Sequence, residues 1–261
     1  MPDEPRTSVI MSAYRTNATV RDAVESALAQ TVPDFELLVV DDGSEVPIAD
    51  SLEGIRDPRL RLMRFDRNRG ISAARNTALR VARAPLVSQL DSDDLWEPDY
   101  LENMLPVMDD PGVGLAYANV KIRNHPAGRT IGIEDPLDHP VYTFPRICNE
   151  CPVTSPTPTM RTDELRRLGG WAEWLWSSAD FYLYLELAVV GWRFEYVDKV
   201  LGTYTWPTAV SGTTFDTSRA RRDDLKMWVV FMLRHPLTPG PRRQVRLRAP
   251  RELRRLVDRT G

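Results

Sequence analysis

Three carboxylates crowd into four positions in Asp91-Ser92-Asp93-Asp94, directly after an apolar run at residues 85–90 with the length and composition of a buried strand. Like charges this close raise one another's pKa and cost energy unless a cation sits among them. At the carboxyl end of an α/β strand that cation is commonly a ligand-bound metal ion. Carboxylate oxygens are hard ligands and suit Mg²⁺ or Mn²⁺ better than zinc or copper. The expected chemistry is a divalent ion held by Asp91 and Asp93 against the diphosphate of a bound nucleotide. The competing expectation is a solvated acidic turn that caps a helix starting near Glu97.

The elements that would position these residues can be read from periodicity. Residues 8–12 and 35–40 are apolar runs that read as buried strands, and residues 60–65 alternate apolar and charged as a half-wet strand would. Val20, Ala23, Val24, Ala27 and Leu28 recur with helical spacing, with Asn17 or Thr19 as candidate caps. Residues 70–82 form a second helix, with Ile71, Ala74, Ala78, Leu79 and Ala82 along one side. The resulting alternation predicts an α/β fold with a mostly parallel sheet and ligands at the carboxyl ends of its strands. Three polar clusters fall at those ends: residues 12–15, 41–44 and 91–94.

Further along, residues 98–108 read as a helix and 114–122 as a strand. Residues 123–159, rich in Pro, His, Thr and Asn, predict long loops. A helix at 161–168 should stop at Gly169-Gly170, followed by an apolar helix at 181–190 and strands at 193–197 and 200–206. Residues 216–233 are weakly amphipathic, and a short basic helix is expected at 250–259.

Composition narrows the class. A hydrophobic fraction of 42% and a charged fraction of 27% over 261 residues are those of a soluble α/β protein with a substantial core. No apolar run approaches the roughly 20 residues that span a bilayer, and no secretory signal is visible, so a cytoplasmic protein is expected. Residues 215–261 carry 13 Lys or Arg against 5 Asp or Glu, whereas the rest is acidic. A basic tail on an acidic body suggests peripheral contact with an anionic surface, such as the inner face of a membrane, and no nucleic-acid partner is expected. Cys148 and Cys151 form a lone Cys-x-x-Cys with too few neighbouring ligands for zinc, and read as reduced cysteines in a loop.

Taken together, these residues resemble the family 2 glycosyltransferases of the GT-A fold over about residues 6–211. Val9-Ile10-Met11-Ser12-Ala13-Tyr14 is similar to the family's opening strand, and Val40-Asp41-Asp42-Gly43-Ser44 to its nucleotide-contacting turn. Asn68-Arg69-Gly70-Ile71-Ser72-Ala73-Ala74-Arg75-Asn76 resembles its Asn-x-Gly…Ala-Arg-Asn segment. Asp91-Ser92-Asp93 resembles its Asp-x-Asp, and Gly169-Gly170-Trp171 followed by Ser178-Ala179-Asp180 its acceptor-side block. One Asp-x-Asp is a weak signal; five pieces in order are strong.

The resemblance implies an inverting transfer from a nucleotide-sugar, a UDP-sugar favoured, to a glycan, lipid-linked or small-molecule acceptor, with Mg²⁺ or Mn²⁺. Ala13, Tyr14 and Arg15 would line base and ribose, and Asp41 or Asp42 would accept from a base N–H. Asp91, Ser92 and Asp93 would meet ribose, diphosphate and metal, with Arg75 holding the donor or the carboxylates around it. Asp180 would be the general base, and Trp171, Trp174 and Trp176 are candidate acceptor contacts. The implied division is a nucleotide-sugar half at 1–122, an acceptor half at 123–214 and a basic helical tail at 215–261. The sequence departs from the family in having Ala179 before the base, where many relatives have Glu, and no His at 204–207. A nucleotidyltransferase or a dinucleotide oxidoreductase is disfavoured, since residues 12–19 contain no Gly. A catalytically silent nucleotide-sugar-binding protein is the alternative from outside the enzymes.

Overall fold

The computed structural model describes residues 4–123, 141, 142, 144, 147, 151, 153–205 and 217–235. In chain order the elements are β1 (Thr7–Ala13), α1 (Val20–Leu28), β2 (Phe35–Asp41), α2 (Ile48–Ser51), β3 (Leu60–Arg64), α3 (Ile71–Val81), β4 (Leu86–Gln89) and β5 (Leu95–Trp96). Then come α4 (Tyr100–Met104), a 3₁₀ turn at Pro106–Asp109, β6 (Val113–Arg123), β7 (Val141–Tyr142), β8 (Thr159–Arg161), α5 (Thr162–Leu168), α6 (Ala179–Val189), β9 (Arg193–Thr205) and α7 (Thr217–Arg234).

Nine strands form one sheet in the order β3-β2-β1-β4-β8-β6-β9-β5, with β7 paired to β9. β3, β2, β1 and β4 are parallel, so β1, β2 and β4 bring their carboxyl ends to one edge. The expected α/β architecture holds, but beyond β4 the sheet is mixed: β8 pairs antiparallel with both β4 and β6, while β6 and β9 run parallel. Short β8 gave no apolar run for periodicity to detect. Buried hydroxyls tie it in: Ser88 Oγ sits 2.9 Å from both Thr7 Oγ1 and Thr159 Oγ1, and Tyr100 Oη 2.9 Å from Thr159 Oγ1.

The central strands are buried on both faces, which is why they read as continuous apolar runs. Val9, Met11, Leu37 and Val39 point to the α1 and α4 side, and Ile10, Leu38 and Val40 to the α3 and α6 side. Two strands expected at 193–197 and 200–206 are one, β9. The register jumps from Ala118↔Val197 to Asn119↔Val200, so polar Asp198 and Lys199 bulge out within one continuous strand. The helix at 98–108 shortens to α4 plus the 3₁₀ turn through Pro106. Neither candidate cap of α1 bonds its amides: Thr19 Oγ1 donates to the carbonyls of Thr16 and Ser92, and Asn17 Nδ2 to those of Val46 and Pro47.

Met227, Trp228 and Phe231 of α7 are buried in the core shared with α6, so residues 217–235 belong to the body. Burying a side chain of this size is worth about 2–3 kcal/mol. Cys148, Trp206 and the expected helix at 250–259 lie outside the described residues, as does most of the 123–159 segment; Cys151 is exposed. Among the described residues no helix is long and apolar enough to cross a membrane.

Candidate active site

The turn after β2 is built by its own aspartates. Asp41 accepts from the amides of Ser44 (2.9 Å) and Ile48 (3.1 Å), folding the turn back on itself. Asp42 reaches the loop before α3, accepting from Asn68 Nδ2 (2.9 Å) and the amides of Arg69 (2.7 Å) and Gly70 (2.9 Å). Gly43 makes this approach possible: its φ is +72°, and a Cβ there would lie 2.3 Å from the Arg67 carbonyl carbon. Both carboxylates are buried, and burial pushes Asp42 up from the ordinary carboxylate pKa. A hydrogen bond from a base N–H to either would have to use a remaining lone pair.

Beside this turn, Ala13 is buried at the end of β1, while Tyr14 and Arg15 stand exposed. Arg15 has φ +57°, its amide donates to Ser44 Oγ (3.0 Å), and its guanidinium pairs with Glu45 and lies 5.0 Å over the Tyr14 ring. The two loops thus form one wall.

Arg75 and Asn76, neighbours on α3, join this edge to the segment leading into α6. Arg75 is 2% exposed, so it lies inside the protein and not on the surface of its helix. Its Nη1 donates to both oxygens of Asp180 (2.8 and 2.9 Å) and its Nη2 to Asp91 Oδ1 (2.6 Å). Asn76 grips the backbone of Trp171 on both sides, donating to its carbonyl (2.8 Å) and accepting from its amide (2.8 Å). Gly170 is required here, because a Cβ would fall 2.2 Å from Asn76 Oδ1. One turn of α3 therefore holds the donor-side and acceptor-side motifs together.

Asp180 does not cap α6. The cap position belongs to Ser178, and Asp180 accepts from Arg75 and Trp171 Nε1 (2.8 Å) instead of the helix amides. The side chain is 37% exposed, so its remaining lone pairs are open to solvent. Trp171 is 1% exposed and turned inward, which removes it from the candidate acceptor contacts. Trp174 is exposed, and Trp176 lies under the Arg219 guanidinium at 4.4 Å.

In the acidic turn the three carboxylates differ. Asp91 is engaged by Arg75 and by Ser155 Oγ (2.5 Å). Asp94 is buried, accepts from the Thr205 amide (2.7 Å), and has Oδ2 without a hydrogen-bond partner. Burial, then the charges of Asp91 and Asp93, hold its pKa well above the ordinary value. Asp93 is pushed up to about 6, by burial first and the Asp91 charge second. Arg123 partly offsets this from β6, donating to the Asp93 carbonyl (3.4 Å) and Thr205 Oγ1 (2.9 Å). Ser92 is buried, its carbonyl accepting from Thr19. None of the three carboxylates caps α4, whose N-cap is Asp99.

This crowding fits a hard divalent cation: the donors are all oxygen, negative charge is in excess, and a buried carboxylate oxygen is left unpaired. Among the described residues no three Asp, Glu, His or Cys side chains are grouped to enclose an ion, so phosphate oxygens and water would have to complete its shell. Ser155, Asp94 and Arg123 were not singled out by sequence. Ser155 sits in an aperiodic stretch that Arg123 was expected to open; only Asp94 carried a signal, as the third acid of its turn.

Residues 8–161 match the sequence profile described as glycosyl transferase family 2. A UDP-Glc:alpha-D-GlcNAc-diphosphoundecaprenol beta-1,3-glucosyltransferase, WfaP of Escherichia coli, is 34% identical over 115 residues, 44% of this chain and 46% of the relative. The chain spans less than half the length of the curated relatives it matches. By fold it is similar to S. aureus TarS 1-349 in complex with UDP-GlcNAc, with a TM-score of 0.76 at 22% identity, covering 92% of this chain and 70% of that one. A mannosyltransferase, PcManGT from Pyrobaculum calidifontis in complex with GDP-Man and Mn²⁺, aligns at a TM-score of 0.68 and 20% identity over 94% of this chain and 70% of that one. With the profile match spanning more than half its length and both halves of the site joined on Arg75, this chain belongs to glycosyl transferase family 2.

Proposed function

We propose that this chain is an inverting glycosyltransferase that moves a sugar from a nucleotide-sugar, a UDP-sugar favoured, to an acceptor hydroxyl. The observation that carries the reading is the shared guanidinium: Asp91, at the carboxyl edge of β4, and Asp180, at the start of α6, are held on one buried Arg75. A donor seated along that edge would thereby meet a carboxylate that faces it from the acceptor side. UDP is favoured because WfaP is a UDP-Glc-dependent glucosyltransferase and the TarS neighbour holds UDP-GlcNAc, and WfaP's acceptor suggests a lipid-linked saccharide.

In this reading Tyr14 and Arg15 flank the base, while Asp41 and Asp42 shape the loops beneath it. Asp93, with Asp91, would hold a Mg²⁺ or Mn²⁺ ion, which when bound supplies charge stabilisation to the leaving diphosphate. Asp180 takes the proton from the acceptor hydroxyl as its oxygen bonds to the anomeric carbon and the bond to the diphosphate breaks. Attack from the face opposite the leaving group inverts the configuration. Arg75 and Trp171 fix the Asp180 carboxylate in its plane, leaving outward lone pairs for that proton. The Arg-rich residues 236–261 supply the chemistry for contact with an anionic lipid face.

The test is calorimetry of UDP, UDP-glucose and UDP-GlcNAc with Mn²⁺ or chelator, followed by transfer assays. Asp180→Asn should bind donor within about twofold of the parent yet transfer at least about 10²-fold more slowly, the usual range for a general base. Equal transfer by variant and parent would remove Asp180 as the base. Asp93→Ala should abolish the metal-dependent part of binding, and unchanged affinity with chelator would remove the ion.

A further inference from the structure

The segment that carries Asp180 is gripped from outside the region matched by the family profile, which ends at residue 161. On α7, Asp223 is 2% exposed, and its Oδ2 accepts from the amides of Trp176 (2.8 Å) and Ser177 (3.1 Å). Its neighbour Asp224 accepts from Ser178 Oγ at 2.5 Å. Ser178 is held at φ +61°, in the left-handed region that a residue with a Cβ enters at a cost. The Ser178 carbonyl then accepts the Tyr182 amide (2.9 Å) and opens the first turn of α6.

The same helix packs the other side of Asp180. Trp228 meets Phe181 edge-on at 5.8 Å, Phe231 meets Tyr182 at 6.4 Å, and Arg234 donates to Tyr182 Oη (2.9 Å). Asp180 therefore lies between a loop tied to Asp223 and Asp224 and two rings packed on α7. Its side chain is aimed by Arg75 and Trp171; its backbone is set by α7.

We infer that Asp223 and Asp224 are positioning residues for Asp180, and that α7 is the mount of the base. This rests on the proposed role of Asp180. A base displaced by about 1 Å can cost about 10²-fold in rate with no change at the donor edge. The mount should therefore act on turnover and leave nucleotide affinity alone.

Hydrogen exchange on the full chain tests the mount without any substrate. Asp223→Ala and Asp224→Ala should each speed exchange in residues 172–185 by about tenfold or more, as loss of a hydrogen bond to a charged acceptor implies, with α3 unchanged. Transfer from UDP-glucose or UDP-GlcNAc should fall about tenfold or more in kcat, with donor KM and UDP affinity within about twofold. Asp223→Asn, which keeps an acceptor oxygen, should recover most of the rate. Ser178→Gly should restore part of the Asp224→Ala loss, because glycine holds the left-handed turn unaided. Unchanged exchange in 172–185, or parallel loss of kcat, UDP affinity and melting temperature, would overturn the mount. Asp180→Asn serves as control: if it transfers normally while the exchange results hold, the base assignment has failed and the mount stands as a purely structural clamp.

Discussion

The acidic turn after β2 and the acidic turn after β4 have like composition and unlike hydrogen-bond surroundings. Asp41 and Asp42 are buried, yet four backbone amides and Asn68 donate to them. Asp93 and Asp94 are crowded by Asp91 and left with a raised pKa, and Asp94 Oδ2 has no partner. Carboxylates that fold a loop are given donors by that loop. Asp94 Oδ2 is given none, and an oxygen without a donor keeps its lone pairs open to a cation.

The largest effect should come beside the β4 turn, at Arg75. Arg75→Met keeps the stem's volume and strips Asp91 and Asp180 of their shared cation. Breaking a buried pair by removing one partner costs about 3–5 kcal/mol, and the lower end applies because Asp180 is over one-third exposed. Urea unfolding should thus show a loss of about 3 kcal/mol. A loss below about 1 kcal/mol, the worth of a surface pair, would mean that solvent already compensates both carboxylates.

A pair of isosteric changes sharpens the contrast further. Asp42→Asn puts an NH₂ where three donors converge, orphaning at least one of them, and should destabilise by about 2 kcal/mol. Asp93→Asn removes a crowded charge and should stabilise the metal-free protein by about 1–2 kcal/mol at pH 7.5. The sign follows from linkage. Folded Asp93 holds its proton up to about pH 6, whereas an unfolded aspartate releases it near about pH 4. The folded state therefore binds more protons between those values, and the parent's stability falls as pH rises through that window. Asp93→Asn should flatten this fall and gain nothing at pH 4, which urea titrations in chelator would record. Destabilisation by both substitutions would make the β4 turn structural like its counterpart.

The two turns were legible in sequence to the same depth and no further. Position at a strand end, the Gly after Asp42 and the spacing of the acids located both, because these depend on local chain geometry. Which turn was satisfied could not be read, because the answer lies in Arg69 and Gly70 for one and in Ser155, Thr205 and Arg123 for the other. β1, β2 and β4 were visible as apolar runs because they are largely buried on both faces, and β3 by its alternation. β8 and the single long β9 were hidden, one by its shortness and the other by a polar bulge. α7 read as tail because Arg219, Arg221 and Arg222 dominate its start, whereas its buried face is the short set Met227, Trp228 and Phe231.

The acceptor side offers the smallest test, between two tryptophans three residues apart. Trp171 is enclosed and donates to Asp180, so its loss would disturb base and core together. Trp174 is 45% exposed and rests edge-on against Tyr182 at 5.4 Å, so little but surface contact depends on it. If that face packs on an acceptor ring, Trp174→Ala should raise acceptor KM by about 2- to 10-fold, the worth of about 0.5–1.5 kcal/mol for an aromatic contact. Donor KM, UDP affinity and metal dependence should stay at parent values, because the ring rests on Tyr182 of α6. An acceptor KM unchanged across soluble saccharides would make Trp174 an exposed ring with no role in transfer, and would move the acceptor site toward Trp176 and Arg219.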